Sequence, residues 1–172
     1  MGSFKMIKQI IPQEVCLKCQ GCCRFKKIDS AWSPCLLDEE IQDLLDKKIP
    51  PACISSAKKI LPIPNPQGEG FICPFLDIKD NKCRIYGLRP FECQLYPFLI
   101  NFRGKKVILT LDLNCPYVSG HLKDGDFKKY TDSLIAFLNS TAQIRILKDS
   151  PQIIQAYEDV LDVIELELQD EA

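Results

Sequence analysis

The spacing of apolar residues along the chain predicts three helices. The first follows the acidic run at residues 38–40, because carboxylates favour a helix N-terminus, and it ends before Pro50. The second covers residues 126–138, where apolar side chains recur at helical spacing. Ser150 and Pro151 supply a cap and a first-turn proline for a third helix that continues to about residue 168. The last two helices bear no cysteine and are expected to pack as a C-terminal helical pair.

Shorter apolar stretches in the middle of the chain predict two β-hairpins. The first pairs Phe71–Leu76 with Lys82–Tyr86 around a polar turn, and the second pairs Phe98–Phe102 with Val107–Leu113. A single helical turn is predicted between the two hairpins, and a short helix is predicted over residues 52–61. These elements together predict a small α+β domain with irregular cysteine-rich loops, two short β-hairpins and a C-terminal helical pair.

The composition limits the class of protein. A chain of 172 residues with 46% hydrophobic and 26% charged residues is expected to form one domain, residues 1–172, with an ordinary core. A formal net charge of -1 without a long basic stripe predicts that it does not bind nucleic acid. The sequence has neither the apolar run of a signal peptide nor the roughly 20 apolar residues that cross a bilayer. We therefore expect a cytoplasmic protein with no membrane partner.

Cysteine is the unusual residue of this sequence. Ten of the 172 residues are Cys, whereas His121 is the single histidine. The cysteine fraction lies below the roughly 8–10% that is typical of a disulfide scaffold. Clustered cysteines in a cytosolic, reducing compartment are more often metal ligands or catalytic groups than disulfides. The thiols therefore predict a metal site.

Four cysteines form the motif CxxCxxCC, at Cys16, Cys19, Cys22 and Cys23. A C-x-x-C turn places two sulfurs on one side, where both can reach one metal, and Gly21 lets the next thiolates follow closely. Disulfides within this run would close small strained rings. A redox dithiol would need the strand-helix setting of a thioredoxin-like fold, which the surrounding sequence lacks. A chelating loop is the favoured interpretation.

A second set of cysteines follows further along the chain, at Cys73, Cys83, Cys93 and Cys115. Eight thiolates suffice for two four-sulfur sites, or for one site with spare or redox thiols, and both arrangements stay open. Cys35 and Cys53 stand apart and are interpreted as inert buried thiols.

The donor set narrows the choice of metal to two. The near absence of histidine removes mixed Cys/His zinc fingers, whereas all-cysteine sites suit both zinc and iron-sulfur clusters. The second C-x-x-C knuckle of a zinc ribbon is missing, and C-x-x-C-x-x-C followed by Cys, together with Cys-Pro pairs, is shared with ferredoxin-type ligation. The sequence favours an iron-sulfur cluster, with zinc as the alternative.

The order of these motifs resembles a known family. CxxCxxCC is followed by CPFL at 73–76, by CRIYGLRPFECQLYP at 83–97 and by CP at 115–116. This combination, which covers residues 16–116, is similar to the cysteine-cluster family of zinc- or iron-chelating proteins that also includes flagellin lysine N-methylases. The resemblance implies metal ligation by Cys16, Cys19, Cys22, Cys23, Cys73, Cys83, Cys93 and Cys115.

Three further residues of this segment are candidates for contact with the cofactor. Arg89 lies in the RP-x-x-C-x-x-Y-P signature and can hydrogen-bond cluster sulfurs or a carboxylate, with a structural salt bridge as the alternative. Tyr86 and Tyr96 are expected to form walls of the site.

Three functions fit these observations. The first is a metal-cluster binding or electron-transfer module, and the second is a cluster-dependent protein-lysine methyltransferase like the flagellin relatives. The third is a zinc-stabilised interaction module. The chain has no C-x3-C-x2-C radical triad, since Lys26 stands at the third position, and no Gly-rich nucleotide turn. Whether it is an enzyme stays open, and the expected partners are a metal ion or cluster and either a protein substrate or a redox partner.

Overall fold

The computed structural model describes residues 7–19 and 21–168 and confirms the α+β class. The α-helices of the described residues are α1 (Gln13–Lys18), α2 (Asp38–Asp46), α3 (Phe91–Leu95), α4 (Pro116–His121), α5 (Gly125–Leu138) and α6 (Thr141–Asp149). The strands are β1 (Arg24–Phe25), β2 (Ile63–Pro64), β3 (Phe71–Ile72), β4 (Leu76–Asp77), β5 (Lys82–Cys83), β6 (Phe98–Arg103), β7 (Lys106–Asp112) and β8 (Val160–Glu165). Single 3₁₀ turns cover Pro51–Cys53, Tyr86–Leu88 and Pro151–Ile153. Within these ranges, no helix is long and apolar enough to cross a membrane.

Two small sheets organise the cysteine-bearing half of the chain. β3 lies between β1 and β2 and is antiparallel to both, with Ile72 opposite Arg24 and Ile63. Gly70 permits this close approach, because its φ is +79° and a Cβ there would lie 2.7 Å from the carbonyl oxygen of Phe25. β4 and β5 form a separate hairpin. The first predicted hairpin is therefore confirmed only over β4 and β5, since β3 pairs with β1 and β2 instead.

The larger sheet has the strand order β6-β7-β8 and is antiparallel throughout. The second predicted hairpin is confirmed, because β6 and β7 pair continuously from Phe98 with Leu111 to Arg103 with Lys106. Gly104 at φ +65° forms the turn between them, where the left-handed backbone favours glycine. This hairpin leads from the α3 segment directly to the Cys115 segment.

The predicted third helix, from residue 150 to about residue 168, is wrong. Pro151 begins only a 3₁₀ turn, and residues 160–165 form β8 along the edge of β7. The β-branched residues Val160, Val163 and Ile164 suit a pleated sheet surface, and pairing with β7 outweighs the local helix-start signal. The C-terminal helical pair is instead formed by α5 and α6, which precede the strand.

The short helix predicted over residues 52–61 is also wrong. Beyond the Pro51–Cys53 turn, Ile54 and Ile60 face each other in an isolated antiparallel bridge. Lys58 adopts a φ of +57°, so the chain reverses between the bridge partners. The reversal brings Ile60 into the core, where it is fully buried.

Two hydrophobic clusters form the core. The larger cluster packs the β6-β7-β8 sheet against α3, α5 and α6, with Phe98 and Leu138 at its centre. The smaller cluster surrounds α2 and the small sheets and includes Ile72. The consecutive residues Leu36 and Leu37 belong to the smaller and the larger cluster, respectively. Burying such a side chain stabilises a fold by roughly 1.5–3 kcal/mol, so this segment joins the two clusters firmly.

Glu40 ties the start of α2 to the start of α3. Its carboxylate accepts hydrogen bonds from the N–H of Leu37 at 2.9 Å and from the N–H of Phe91 at 2.5 Å. The first of these caps α2, which confirms the helix predicted after the acidic run. The pKa of Glu40 is raised to about 7. Burial is the main cause, and the nearby carboxylates of Asp43 and Glu39 act in the same direction, whereas the hydrogen bonds from the two N–H groups lower the pKa.

Glu40→Gln is expected to reduce the pH dependence of stability. Because the pKa of Glu40 in the folded chain, about 7, lies above its ordinary value of 4.5, the folded state holds this proton more tightly than the unfolded state. Its stabilising contribution is therefore complete below about pH 4.5 and is lost as the pH rises through about 7. The loss is at most about 3 kcal/mol.

Urea unfolding at about pH 5 and about pH 8 measures this difference. Asp46→Asn is the matched control, because Asp46 is an exposed carboxylate at the end of the same helix, and Asn keeps the oxygen that accepts from Gln42. If Glu40→Gln kept the pH slope of the wild-type chain, the linkage assigned to Glu40 would be wrong.

Candidate metal centre

The four cysteines of the CxxCxxCC run lie on α1 and on the loop that leads into β1. Cys16 is in α1, Cys19 is the C-cap of that helix, and Cys22 and Cys23 directly precede β1. A Cβ at Gly21 would approach the Cys19 Sγ to 3.3 Å, which is closer than most real contacts. A side chain at position 21 would therefore crowd the Cys19 thiol, which gives a steric reason for the predicted role of Gly21 in the closely spaced cysteines.

The other four predicted ligands come from four different parts of the fold. Cys73 follows β3, Cys83 ends β5, Cys93 lies in α3 and Cys115 is the N-cap of α4. The N–H of Cys73 donates to the carbonyl oxygen of Cys23 at 3.0 Å. A backbone hydrogen bond thus joins the two sets of cysteines.

Cys22 is the common neighbour of the thiols in both sets. The Cys22 thiol raises the pKa of five other thiols, in each of which burial is the first cause: Cys16, Cys73, Cys83, Cys93 and Cys115. A hydrogen bond with Cys23 is the first cause that raises the pKa of Cys22 itself. The Cys19 thiol contributes to the raised pKa of Cys16 and Cys115. All eight predicted ligands therefore belong to one group of interacting thiols, which we call the thiol group.

Neither Cys35 nor Cys53 is among the main causes that shift the pKa values of the thiol group. Cys35 is 2% exposed, and its N–H donates to the Glu92 carboxylate at 2.6 Å while its Sγ accepts from the Nε2 of Gln155 at 3.2 Å. Burial and the nearby Glu92 raise the pKa of Cys35 to about 12. Cys53, which is only partly buried, ends the Pro51–Cys53 turn. These positions agree with structural roles for both thiols.

The thiol group is gathered but not closed into a coordination polyhedron. Among the side chains of residues 7–19 and 21–168, no set of three or more Cys, His, Asp or Glu groups is placed to hold one metal ion. Metal sites commonly take their final geometry when the ion binds, because the ligands must first lose their protons.

Arg89 and Tyr86 form a stacked pair beside the thiol group. The guanidinium carbon of Arg89 lies 3.8 Å from the centroid of the Tyr86 ring, a cation–π contact. The positive charge of Arg89 lowers the pKa of Cys16 and Cys83, against burial, which raises it. In the described part of the chain Arg89 has no salt bridge, so the alternative of a structural ion pair is unsupported.

Tyr96 forms a pair with Asp112 that the sequence did not indicate. Its hydroxyl donates to Asp112 Oδ2 at 3.0 Å, and Asp112 Oδ1 accepts from the backbone N–H and the side-chain amide of Asn114. Burial raises the pKa of Tyr96, and Asp112, Cys22 and Cys115 raise it further. Asp112 ends β7 and is 5% exposed, so a carboxylate is held close to the thiols.

Asn81 is a second residue that sequence reasoning missed. Its side-chain amide donates to the carbonyl oxygens of Cys16, Leu17 and Cys19, at 3.2, 2.9 and 2.6 Å. Its Oδ1 accepts from the Nη1 of Arg24 at 2.9 Å. A residue of the β4–β5 turn thereby fixes the loop that carries the first cysteines. A signal existed in the sequence, because Asn is favoured at left-handed turn positions, and Asn81 has a φ of +53°.

A comparison with protein families assigns the chain to a family. The family model named CxxCxxCC and described as "Putative zinc- or iron-chelating domain" matches residues 15–116. This chain belongs to the CxxCxxCC family. The matched segment contains all eight members of the thiol group, and the chain is accordingly a metal-binding protein.

The other comparisons do not assign a function to the chain. An uncharacterized protein of Methanocaldococcus jannaschii is 38% identical over 72 residues, a match that covers 38% of this chain and 40% of that protein. The chain thus matches less than half the length of this curated relative. No solved structure is significantly similar to the chain.

The donors present suit the chelation for which the CxxCxxCC family is described. Thiolates are soft ligands that select zinc or iron-sulfur clusters over hard cations such as magnesium and calcium. Arg89 provides a positive charge beside a group of potential anions, and its buried Nε has no hydrogen-bond partner among the described residues. The residues therefore fit a centre with thiolate ligands and a net negative charge.

Asn81→Asp is expected to weaken the fold and to lower the metal content. Asp keeps the oxygen that accepts from Arg24 and tolerates a positive φ, but its second oxygen would replace an amide that donates to three carbonyl oxygens. We expect the free energy of unfolding to fall by about 1–3 kcal/mol. Urea unfolding and metal per chain after dialysis measure both effects.

Asn139→Asp is the matched control for this substitution. The described contact of Asn139 uses its Oδ1 as an acceptor from the N–H of Glu167 at 3.0 Å, and Asp preserves this bond. Equal metal content in the two variants would show that the Asn81 amide does not hold the cysteine loop.

Proposed function

We propose that this protein binds an iron-sulfur cluster through cysteine thiolates. The ligands are drawn from Cys16, Cys19, Cys22, Cys23, Cys73, Cys83, Cys93 and Cys115, and each cluster takes four of them. The observation that carries the proposal is the hydrogen bond from the Cys73 N–H to the Cys23 carbonyl oxygen at 3.0 Å, which joins the two sets of cysteines. Cysteine thiolates are the usual protein ligands of iron-sulfur clusters.

The position of the single histidine supports an all-sulfur centre. The His121 Nδ1 lies 2.7 Å from the carbonyl oxygen of Tyr117, and the two rings stack with centroids 3.9 Å apart. His121 is thus engaged within α4, with Asp124 at 4.0 Å from its Nε2. These contacts of His121 lie within α4 and the turn that follows it, and none of them involves a member of the thiol group.

The order of the cysteines favours iron-sulfur over zinc. A zinc ribbon carries two C-x-x-C knuckles, whereas this chain has one CxxCxxCC run followed by Cys-Pro pairs, as in ferredoxin-type ligation. The Cys73 N–H, which donates to the Cys23 carbonyl oxygen at 3.0 Å, holds the second set of cysteines against that run.

The placement of the ligands suits electron exchange with a partner protein. Cys16 and Cys22 are exposed residues, whereas Cys73 and Cys115 are buried. The thiol group therefore lies between the core and the surface. When bound, an iron-sulfur cluster supplies redox chemistry whose potential depends on net charge, hydrogen bonds to sulfur and exposure. The chain itself supplies the thiolates, the Arg89 charge and partial exclusion of water.

The methyltransferase alternative has no comparable support. A cavity of about 520 Å³ lies between α5 and the large sheet, where Phe98 and Phe127 line it. A second cavity, of about 420 Å³, is lined by Tyr130 and Leu134. Neither lining includes a member of the thiol group, so neither would place a substrate lysine against the proposed cluster.

Anaerobic purification followed by metal and sulfide analysis tests the proposal. We expect iron and acid-labile sulfide in similar amounts, and a visible absorption that disappears on oxidation or chelation. Zinc without sulfide, in a colourless protein, would contradict the proposal and support a zinc-stabilised interaction module.

Cys22→Ser is expected to reduce the iron content to less than about half, because the substitution removes the thiol that links both cysteine sets. Cys53→Ser is the matched control and is expected to keep the wild-type iron content, since Cys53 lies outside the thiol group. The iron and sulfide content per chain is measured in both variants after anaerobic desalting. Retention of full iron content by Cys22→Ser would remove Cys22 from the ligands.

A further inference from the structure

Arg89 is held in place before any ligand binds. It stands between the Tyr86–Leu88 turn and Pro90, the N-cap of α3. Its carbonyl oxygen accepts from the Nε2 of Gln94 at 2.7 Å, and its guanidinium stacks on Tyr86. A planar guanidinium fixed in this way presents its N–H groups in set directions.

Arg89 lies in the segment that connects two members of the thiol group. It follows β5, which ends at Cys83, and precedes α3, which contains Cys93. Burial raises the pKa of Cys83 and Cys16, and the positive charge of Arg89 lowers it. A ligand held by these cysteines would therefore lie close to the guanidinium.

The Nε of Arg89 is buried without a hydrogen-bond partner in the described part of the chain. Leaving a buried donor unpaired costs about 1–3 kcal/mol, and more when the donor is charged. Buried polar groups in folded proteins nearly always have a partner. A cluster sulfur is an acceptor that could lie within reach of this Nε–H, because Arg89 stands between two of the proposed ligands.

We propose that Arg89 donates its Nε–H to a sulfur of the metal centre. This inference rests on the proposed function and deepens it. The hydrogen bond would stabilise the more negative, reduced form of the cluster and so raise its reduction potential. Tyr86 is the positioning residue, because its ring holds the guanidinium plane.

Redox titration of the iron-loaded chain tests this role in three variants. Arg89→Gln removes the charge and the hydrogen bond, whereas Arg89→Lys keeps a positive charge but lacks the Nε–H. Arg84→Gln is the matched control, because Arg84 is exposed and follows Cys83 directly, with its Nη2 bonded to the Leu76 carbonyl oxygen at 3.2 Å. Arg84→Gln removes a nearby positive charge without touching Arg89, so it shows how much the loss of charge alone changes the reduction potential.

At a fixed solution potential, both Arg89 variants are expected to raise the ratio of oxidised to reduced cluster about tenfold, which is 59 mV for a one-electron couple. Arg84→Gln is expected to change this ratio less than about twofold, since exposed charges are screened by salt. If Arg89→Lys kept the reduction potential of the wild-type protein, the proposed hydrogen bond from the Arg89 Nε–H would be wrong.

A measurement on the unaltered sequence removes dependence on the variants. In reduced protein grown with ¹⁵N-arginine, electron-nuclear double resonance is expected to detect a ¹⁵N coupling to the cluster, and its absence would overturn the role of Arg89 even if a variant lost its iron. Iron and sulfide without this coupling would leave the proposed function intact. Protein without iron and sulfide would instead defeat the proposed function itself.

Discussion

The cost of ionising buried, neighbouring thiols is the constraint on which this structure depends. The chain gathers eight thiols around Cys22, and burial together with the neighbouring thiols raises the pKa of most of them. Such a group cannot lose its protons at low cost unless a positive charge enters it. Arg89 supplies part of that charge, because it lowers the pKa of Cys16 and Cys83. A metal centre supplies the rest, which is why chelation and the fold of this region cannot be considered separately.

The fold holds the thiols together through contacts between distant segments. The Cys73 N–H bonds the Cys23 carbonyl oxygen, and the Asn81 amide bonds three carbonyl oxygens of the first cysteine segment. Glu40 fixes the start of α3, the helix that carries Cys93. Each contact is polar and partly shielded, so breaking one leaves acceptors or donors without partners. The apolar clusters on either side of Leu36 and Leu37 provide the rigid frame for these bonds.

The spacing of apolar residues predicted the helices and the hairpin that form between neighbouring residues, but it did not predict pairing between distant strands. The α2 helix, the α5 helix and the β6–β7 hairpin follow from apolar spacing and short turns, and the structure confirms them. β8 was missed, because its conformation depends on the edge of β7, about fifty residues earlier in the chain. The ligand list came from cysteine spacing and the family resemblance. Asn81 and Asp112 were not found, since ordinary turn and strand-end residues acquire their role only through the neighbours that folding gives them.

X-ray absorption at the iron and zinc edges, on protein purified without oxygen, tests the central claim most directly. Iron-sulfur ligation by these thiolates predicts an iron edge, a first shell made only of sulfur and scattering from a second iron atom. Isolated zinc ions, each in its own four-sulfur shell with no neighbouring metal, would contradict it.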